Sequence, residues 1–191
     1  MNPDQTTAKT RDEAWGLLTE WTASDSLRKH ALAVETAMRG TARRAGADEH
    51  LWGLTGLLHD FDYERYPDPP DHPTKGAEVL RREGYPEEMI TAILGHASYT
   101  GVPRETLLAK TLFAVDELSG FLTAVAYVRP SRSLAEVAVA SVKKKLKDKA
   151  FARSVSRDDI AQGASEIGLD LDAHIARVLA DLQGNAEALG L

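Results

Sequence analysis

The chain has 191 residues, of which 43% are hydrophobic and 27% charged, so it is long enough for a real core and is neither disordered nor fibrous. It has no cysteine, which excludes disulfides and thiolate chemistry. A formal net charge of −6 and an aromatic content of 6% argue against a nucleic-acid polymer as partner. The polar N-terminus and the lack of a long apolar run predict a cytoplasmic protein with no membrane partner.

Apolar residues recur at helical spacing along almost the whole chain. Together with capping residues they predict helices, in chain order, over about 10–21, from 24 or 25 onward, 48–59, 73–82, from 86 onward, 104–127, 133–147, 157–167 and 170–183. Four prolines predict a loop over 61–73. With no alternating pattern typical of strands, we expect an all-α fold, a compact helical bundle forming a single domain over 1–191.

Several histidines and aspartates occupy positions where a buried apolar side chain is expected. His30 and His96 lie on the apolar stripes of their predicted helices, and Asp116 interrupts the stripe of a third. His59 and Asp60 end another apolar helix. Because an unpaired buried carboxylate costs several kcal/mol, Asp116 needs a partner.

The imidazole and carboxylate groups of this set suit divalent first-row metals, and the absence of cysteine disfavours iron–sulfur clusters and structural zinc. His50, in a polar helix start, and His174, in an acidic C-terminal region, lie outside the set. We interpret both as structural histidines.

The order His30, then His59-Asp60, then Asp116 resembles the signature of the HD-domain superfamily of metal-dependent phosphohydrolases. The segment LLHDFDYERY resembles the core motif of that superfamily. The resemblance covers about residues 24–130 and implies a helical extension over about 131–191, which is similar to a group of uncharacterised HD proteins.

His72 and His96 fall between the His-Asp doublet and the last aspartate. This resembles the six-ligand variant of the superfamily, seen in HD-GYP phosphodiesterases and diadenosine-tetraphosphate hydrolases. The sequence departs from the HD-GYP pattern because Gly84-Tyr85-Pro86 follows the third histidine instead of preceding it. It also lacks the Glu-Asp pair that follows the doublet in guanosine-tetraphosphate hydrolases of the superfamily.

The resemblance implies two divalent metal ions per chain, drawn from Fe, Mn, Ni, Co and Zn. One ion would be held by His30, His59, Asp60 and Asp116. The other would be held by His72, His96 and the bridging carboxylate of Asp60. A hydroxide bridging the two ions would then attack the phosphate ester of a small phosphorylated metabolite or nucleotide.

Further residues are candidates for contacts with the phosphate or for proton transfer. Lys75 follows His72 by three residues and shares its face if the helix starts there; it is otherwise a solvated lysine. Asp62 is a candidate general acid or hydrogen-bond partner of a ligand histidine, and an exposed acidic loop is the alternative. Together with Asp60, these two form the predicted catalytic set.

Three basic residues in the second half of the chain are additional candidates for binding phosphate. Arg129 and Arg132 flank the helix break at Pro130 and are suited to bidentate phosphate contacts. Lys144 belongs to a lysine run that forms either a solvated face or a contact to an anionic substrate.

Two other functions use the same residues. The six ligands would also suit two irons that activate oxygen, as in the few oxygenases of the superfamily. The chain would alternatively be a nucleotide-sensing module without turnover, although an intact ligand set disfavours this. A homodimer is compatible with the sequence.

Overall fold

A computed structural model of the chain describes residues 9–191, and over that range the protein consists of helices, turns and loops without a strand. It confirms the all-α prediction. The α-helices are α1 (Arg11–Trp21), α2 (Asp25–Ala45), α3 (Glu49–Leu58), α4 (Asp71–Arg82), α5 (Glu87–His96), α6 (Leu107–Tyr127), α7 (Val139–Leu146), α8 (Arg157–Glu166), α9 (Leu171–Gln183) and α10 (Ala186–Leu189). Two 3₁₀ turns cover Ser98–Thr100 and Leu134–Glu136.

Side chains that cap the free amides of a first turn begin most of these helices. Thr10 and Glu13 form a reciprocal capping box at α1, and Ser24 accepts a hydrogen bond from the Leu27 amide at α2. Asp48 accepts from two amides at the start of α3. Gly46 ends α2 with φ 65°, a left-handed conformation that glycine adopts without strain. Most helix ends are therefore encoded locally.

Helix α6 is the centre of the fold. It packs against α2, α5, α8 and α9, and α2 in turn packs along α3. Leu112, Val115 and Leu122 of α6 are fully buried. The helices that carry the predicted ligands are therefore packed around the buried helix α6.

Two predicted boundaries are wrong. The long helix begins at Leu107, not at Arg104, because Thr106 caps it by accepting from the Ala109 amide. The helix predicted over 133–147 is a 3₁₀ turn followed by α7, since Val137 and Ala138 are extended and the Val137 side chain is buried. The short helix α10 was not predicted.

The last third of the chain contributes to the same hydrophobic core as the first part. Buried members include Leu134, Val142, Ile160, Ile175 and Leu182. The division into a core of about 24–130 and an extension of about 131–191 stays a prediction. None of the helices between residues 9 and 191 combines the length and apolarity that crossing a bilayer demands.

Candidate metal centre

Five segments bring the six predicted ligands together. They are His30 on α2, His59-Asp60 directly after α3, His72 at the start of α4, His96 at the end of α5 and Asp116 on α6. The side chains form two groups whose ligand atoms lie within 4.8 Å of one another, in a geometry suited to metal ions.

The first group consists of His30, His59 and Asp116. Asp116 Oδ1 lies 3.0 Å from His30 Nε2 and 3.3 Å from His59 Nε2. The side chain of His59 is fully buried, and Asp60 Oδ2 lies 3.3 Å from its Nε2. Two imidazole nitrogens and two carboxylate oxygens thus converge on one point of the fold.

The second group consists of Asp60, His72 and His96. Asp60 Oδ1 lies 3.3 Å from His72 Nε2 and 3.2 Å from His96 Nε2. Since the Oδ2 atom of the same carboxylate faces the first group, Asp60 lies between the two groups. One carboxylate thus presents an oxygen atom to each of the two groups.

The donor set fits metal ions because buried polar atoms in it have no other partner. His59 Nε2 and Asp60 Oδ1 are buried without a hydrogen bond, which costs about 1–3 kcal/mol for a neutral group and more for a charged one. His59 Nδ1 lies 2.8 Å from the Gly56 carbonyl, and His96 Nδ1 contacts the Ile93 carbonyl. As each Nδ1–H donates to a carbonyl oxygen, Nε2 is the ring nitrogen that faces the carboxylates.

Asp62 is buried and hydrogen-bonds to His72 through Nδ1, the ring nitrogen that does not face Asp60. Its Oδ1 accepts from His72 Nδ1 at 2.8 Å, and its Oδ2 accepts from the Gly76 amide at 2.7 Å. A Cβ on residue 76 would lie 2.8 Å from Asp62 Cγ, so only glycine admits this approach. The exposed acidic loop considered for Asp62 is therefore wrong, and the geometry is that of a positioning residue. Its role as general acid stays a prediction.

The carboxylates and imidazoles shift one another's protonation. Burial opposes the charged form of His72, but the neighbouring carboxylates of Asp60 and Asp62 outweigh burial and raise the pKa of His72 to about 9. Burial likewise opposes charge on His59, yet Asp60 and Asp116 raise its pKa well above the usual range. Although burial opposes ionisation of Asp60, His59 holds the pKa of Asp60 well below its ordinary value. Asp60 is thus an anion at neutral pH.

The centre opens into a cleft of about 590 Å³. Besides predicted ligands, the cleft is lined by residues that the sequence did not single out, among them Tyr63, Tyr99, Glu117 and Asp159. Tyr99 donates to the His72 carbonyl at 2.9 Å, and Tyr63 packs edge-on against the His72 ring. Burial and the Asp116 carboxylate raise the pKa of Glu117 to about 7.

Two of these lining residues had a weak sequence indication. Tyr63 lies in the segment LLHDFDYERY, and Glu117 directly follows a predicted ligand. Asp159 lies more than forty positions beyond Asp116, and only the packing of α8 on α6 brings it to the cleft.

Lys75 does not line the cleft. The premise that it shares a helical face with His72 is wrong, because His72 is extended (φ −78°, ψ 139°) before Pro73 and regular helix begins only after it. Lys75 Nζ instead lies 3.6 Å from Glu78 on the exposed side of α4.

The other predicted phosphate contacts also lie outside the cleft lining. Arg129 donates to Ser141 Oγ at 3.0 Å and lies 4.0 Å from Glu136. Arg132 and Lys144 are exposed, and Arg132 has φ 50°. A phosphate role for these residues stays a prediction that the cleft geometry does not support.

The two histidines interpreted as structural have ordinary partners away from the centre. His50 Nε2 lies 2.7 Å from the Lys9 carbonyl, and the buried His174 lies 2.8 Å from the Ala114 carbonyl. Burial lowers the pKa of His174, which keeps this imidazole neutral.

Comparison with known proteins identifies the segment that carries these ligands. The family model described as HD domain matches residues 27–120, a range that holds all six of them. No solved structure gives a significant match to the chain.

Proposed function

The chain belongs to the HD-domain superfamily, and we propose on this basis that it is a metal-dependent phosphohydrolase that cleaves the phosphate ester of a small metabolite. The observation that carries the proposal is the pair of ligand groups sharing Asp60, with buried donor atoms on His59 and Asp60 that lack other partners. The partly buried, ionised carboxylate of Asp60 supplies one oxygen to each group.

Divalent cations at these ligands would activate water and stabilise the charge that develops on a phosphoryl group. The chain supports this chemistry by fixing its ligands. Backbone carbonyls hold His59 and His96, and Asp62 holds His72, so each Nε2 faces the centre. Fixed donors keep the geometry without reorganisation during the reaction.

The experiment is elemental analysis of the purified protein, followed by hydrolysis of p-nitrophenyl phosphate with added Mn²⁺, Fe²⁺, Co²⁺, Ni²⁺ or Zn²⁺. We expect about two metal ions per chain and metal-dependent release of phosphate. His72→Ala should lose one ion and most activity, whereas His50→Ala, an exposed histidine outside the centre, should change neither. Phosphate release that is unchanged by chelation or by His72→Ala would refute the proposal.

The same nitrogen and oxygen donors also suit iron. The screen therefore includes oxygen uptake by the iron-loaded protein. Oxygen consumption without phosphate release would replace the hydrolase with an oxygenase. Metal binding with neither activity would indicate a sensing module.

A further inference from the structure

The charge of the cleft differs from that of a site built for a highly anionic substrate. Among residues 9–191, no lysine or arginine lines it. The carboxyl groups that do line it are those of Asp60, Asp116, Glu117 and Asp159. The acidic lining therefore supplies no cation of its own for the charge that a phosphate dianion brings beyond what divalent ions would neutralise.

Two arginines that contact residues of the cleft lining, Arg104 at Ser98 and Arg157 at Val155, already have partners. Arg104 forms an ion pair with Glu166 at 2.7 Å and donates to the Gly95 carbonyl at 3.0 Å. Arg157 donates to carbonyls of the turn over 148–155, including Val155 at 2.8 Å. Neither guanidinium is available to a substrate without breaking these contacts.

Glu117 and Asp159 occupy the same side of the cleft, beside the first turn of α8. The Ser156 amide donates to Glu117 Oε2 at 3.2 Å, and Ser156 is the cap of the helix that carries Asp159. Within residues 9–191, no hydrogen bond or ion pair holds the Asp159 carboxylate. This carboxylate is half-buried and lines the cleft, and Arg104, whose pKa its charge helps to raise, forms its ion pair with Glu166 instead.

Two tyrosine rings line the same cleft. The side chains of Tyr63 and Tyr99 are 39% and 53% exposed, so their rings are accessible to a ligand. Tyrosine faces combined with carboxylates attract ammonium groups through the ring quadrupole and through charge.

From these residues we infer that the substrate carries an ammonium group beside its phosphate, and that Asp159, with Glu117, recognises that group. The inference rests on the proposed function for the phosphate end of the molecule. An ammonium group offsets part of the negative charge that a phosphate dianion would bring into this cleft. Asp159 is thereby a specificity-determining residue, and aminoalkyl phosphates are the substrate class.

Two nearly isosteric esters test this inference. In O-phosphoethanolamine, an ammonium group replaces the terminal methyl group of propyl phosphate. With the metal-loaded protein, we expect kcat/KM to be at least about tenfold higher for O-phosphoethanolamine, the scale of one hydrogen bond to a charged group. Asp159→Asn should bring the ratio of the two values close to one. Asp158→Asn, an exposed neighbour in the same turn that does not line the cleft, is the matched control and should leave the ratio unchanged.

Calorimetric titration with each ester gives a readout that does not depend on turnover. We expect tighter binding of O-phosphoethanolamine to the wild type and equal binding of both esters to Asp159→Asn. Equal kcat/KM values for the two esters, or a preference that survives Asp159→Asn, would overturn the inference and leave the hydrolase intact. If neither these esters nor p-nitrophenyl phosphate is hydrolysed, the proposed function fails, and the calorimetric preference alone decides the inference.

Discussion

Removal of the Asp62 carboxylate tests whether this residue positions a metal ligand. In Asp62→Ala, His72 Nδ1 loses an acceptor at 2.8 Å and the buried Gly76 amide loses one at 2.7 Å. A hydrogen bond to a charged group is worth about 1.5–3 kcal/mol, and breaking a buried charged pair costs about 3–5 kcal/mol. We therefore expect the free energy of unfolding to fall by about 3–5 kcal/mol.

The same substitution should selectively lower the affinity for one of the two metal ions. Without Asp62, the His72 ring is free to rotate and to place its proton on Nε2, which removes that atom as a donor. Loss of such a partner lowers metal affinity by about 10–100-fold. We therefore expect each chain to bind one metal ion with unchanged affinity and a second one more weakly. Asp62→Asn should retain part of the stability, since an amide oxygen still accepts one hydrogen bond.

Denaturant unfolding and calorimetric titration with Mn²⁺ measure the two effects. Glu64→Ala is the matched control, because Glu64 lies in the same loop and also accepts from two amides, those of Ala23 at 2.6 Å and Ser24 at 3.1 Å. This variant should lose stability without a change in metal affinity. The reasoning is refuted if Asp62→Ala binds two ions as tightly as the wild type.

Two further predictions concern pH and the turn beside the cleft. His72, with its pKa raised from 6.5 to about 9, should stabilise the chelator-treated protein fully below pH 6.5. That stabilisation, on the order of 3 kcal/mol, should disappear as pH rises through 9. The measurement is the free energy of unfolding at pH 6 and pH 9.5, with the change seen in His72→Ala subtracted. Equal corrected free energies at the two pH values would contradict the prediction. Arg157→Met removes the donors to the carbonyls of Ala152 and Val155. This loss should increase amide hydrogen exchange in residues 148–155 and raise the KM for the phosphate ester. Amide protection equal to that of the wild type in this turn would refute the prediction.

Much of the helical structure and of the ligand set is predictable because it depends on local patterns. Caps such as Thr10 and Ser24 begin helices through contacts within three residues. His30 and Asp116 stand out because each places a polar group on an apolar stripe. The order of these residues along the chain then resembles a known superfamily.

The surroundings of the centre depend on tertiary contacts instead. Helical spacing placed Lys75 beside His72, but the backbone before Pro73 is extended and turns the lysine away. Asp62 faces His72 only because Gly76 leaves room for its carboxylate.

The sequence by itself determined the helical class and most helix boundaries, since capping and amphipathic spacing act over a few residues. Spacing singled out His30, His96 and Asp116, and the full ligand set is what the resemblance to the HD superfamily implies. Only the tertiary structure decided that Asp159 faces the cleft and that Lys75 does not. Such contacts join residues far apart in the chain, and their geometry follows from how α6 packs against α2, α5 and α8. The charge of the cleft is thus a property of packing, which no local pattern records.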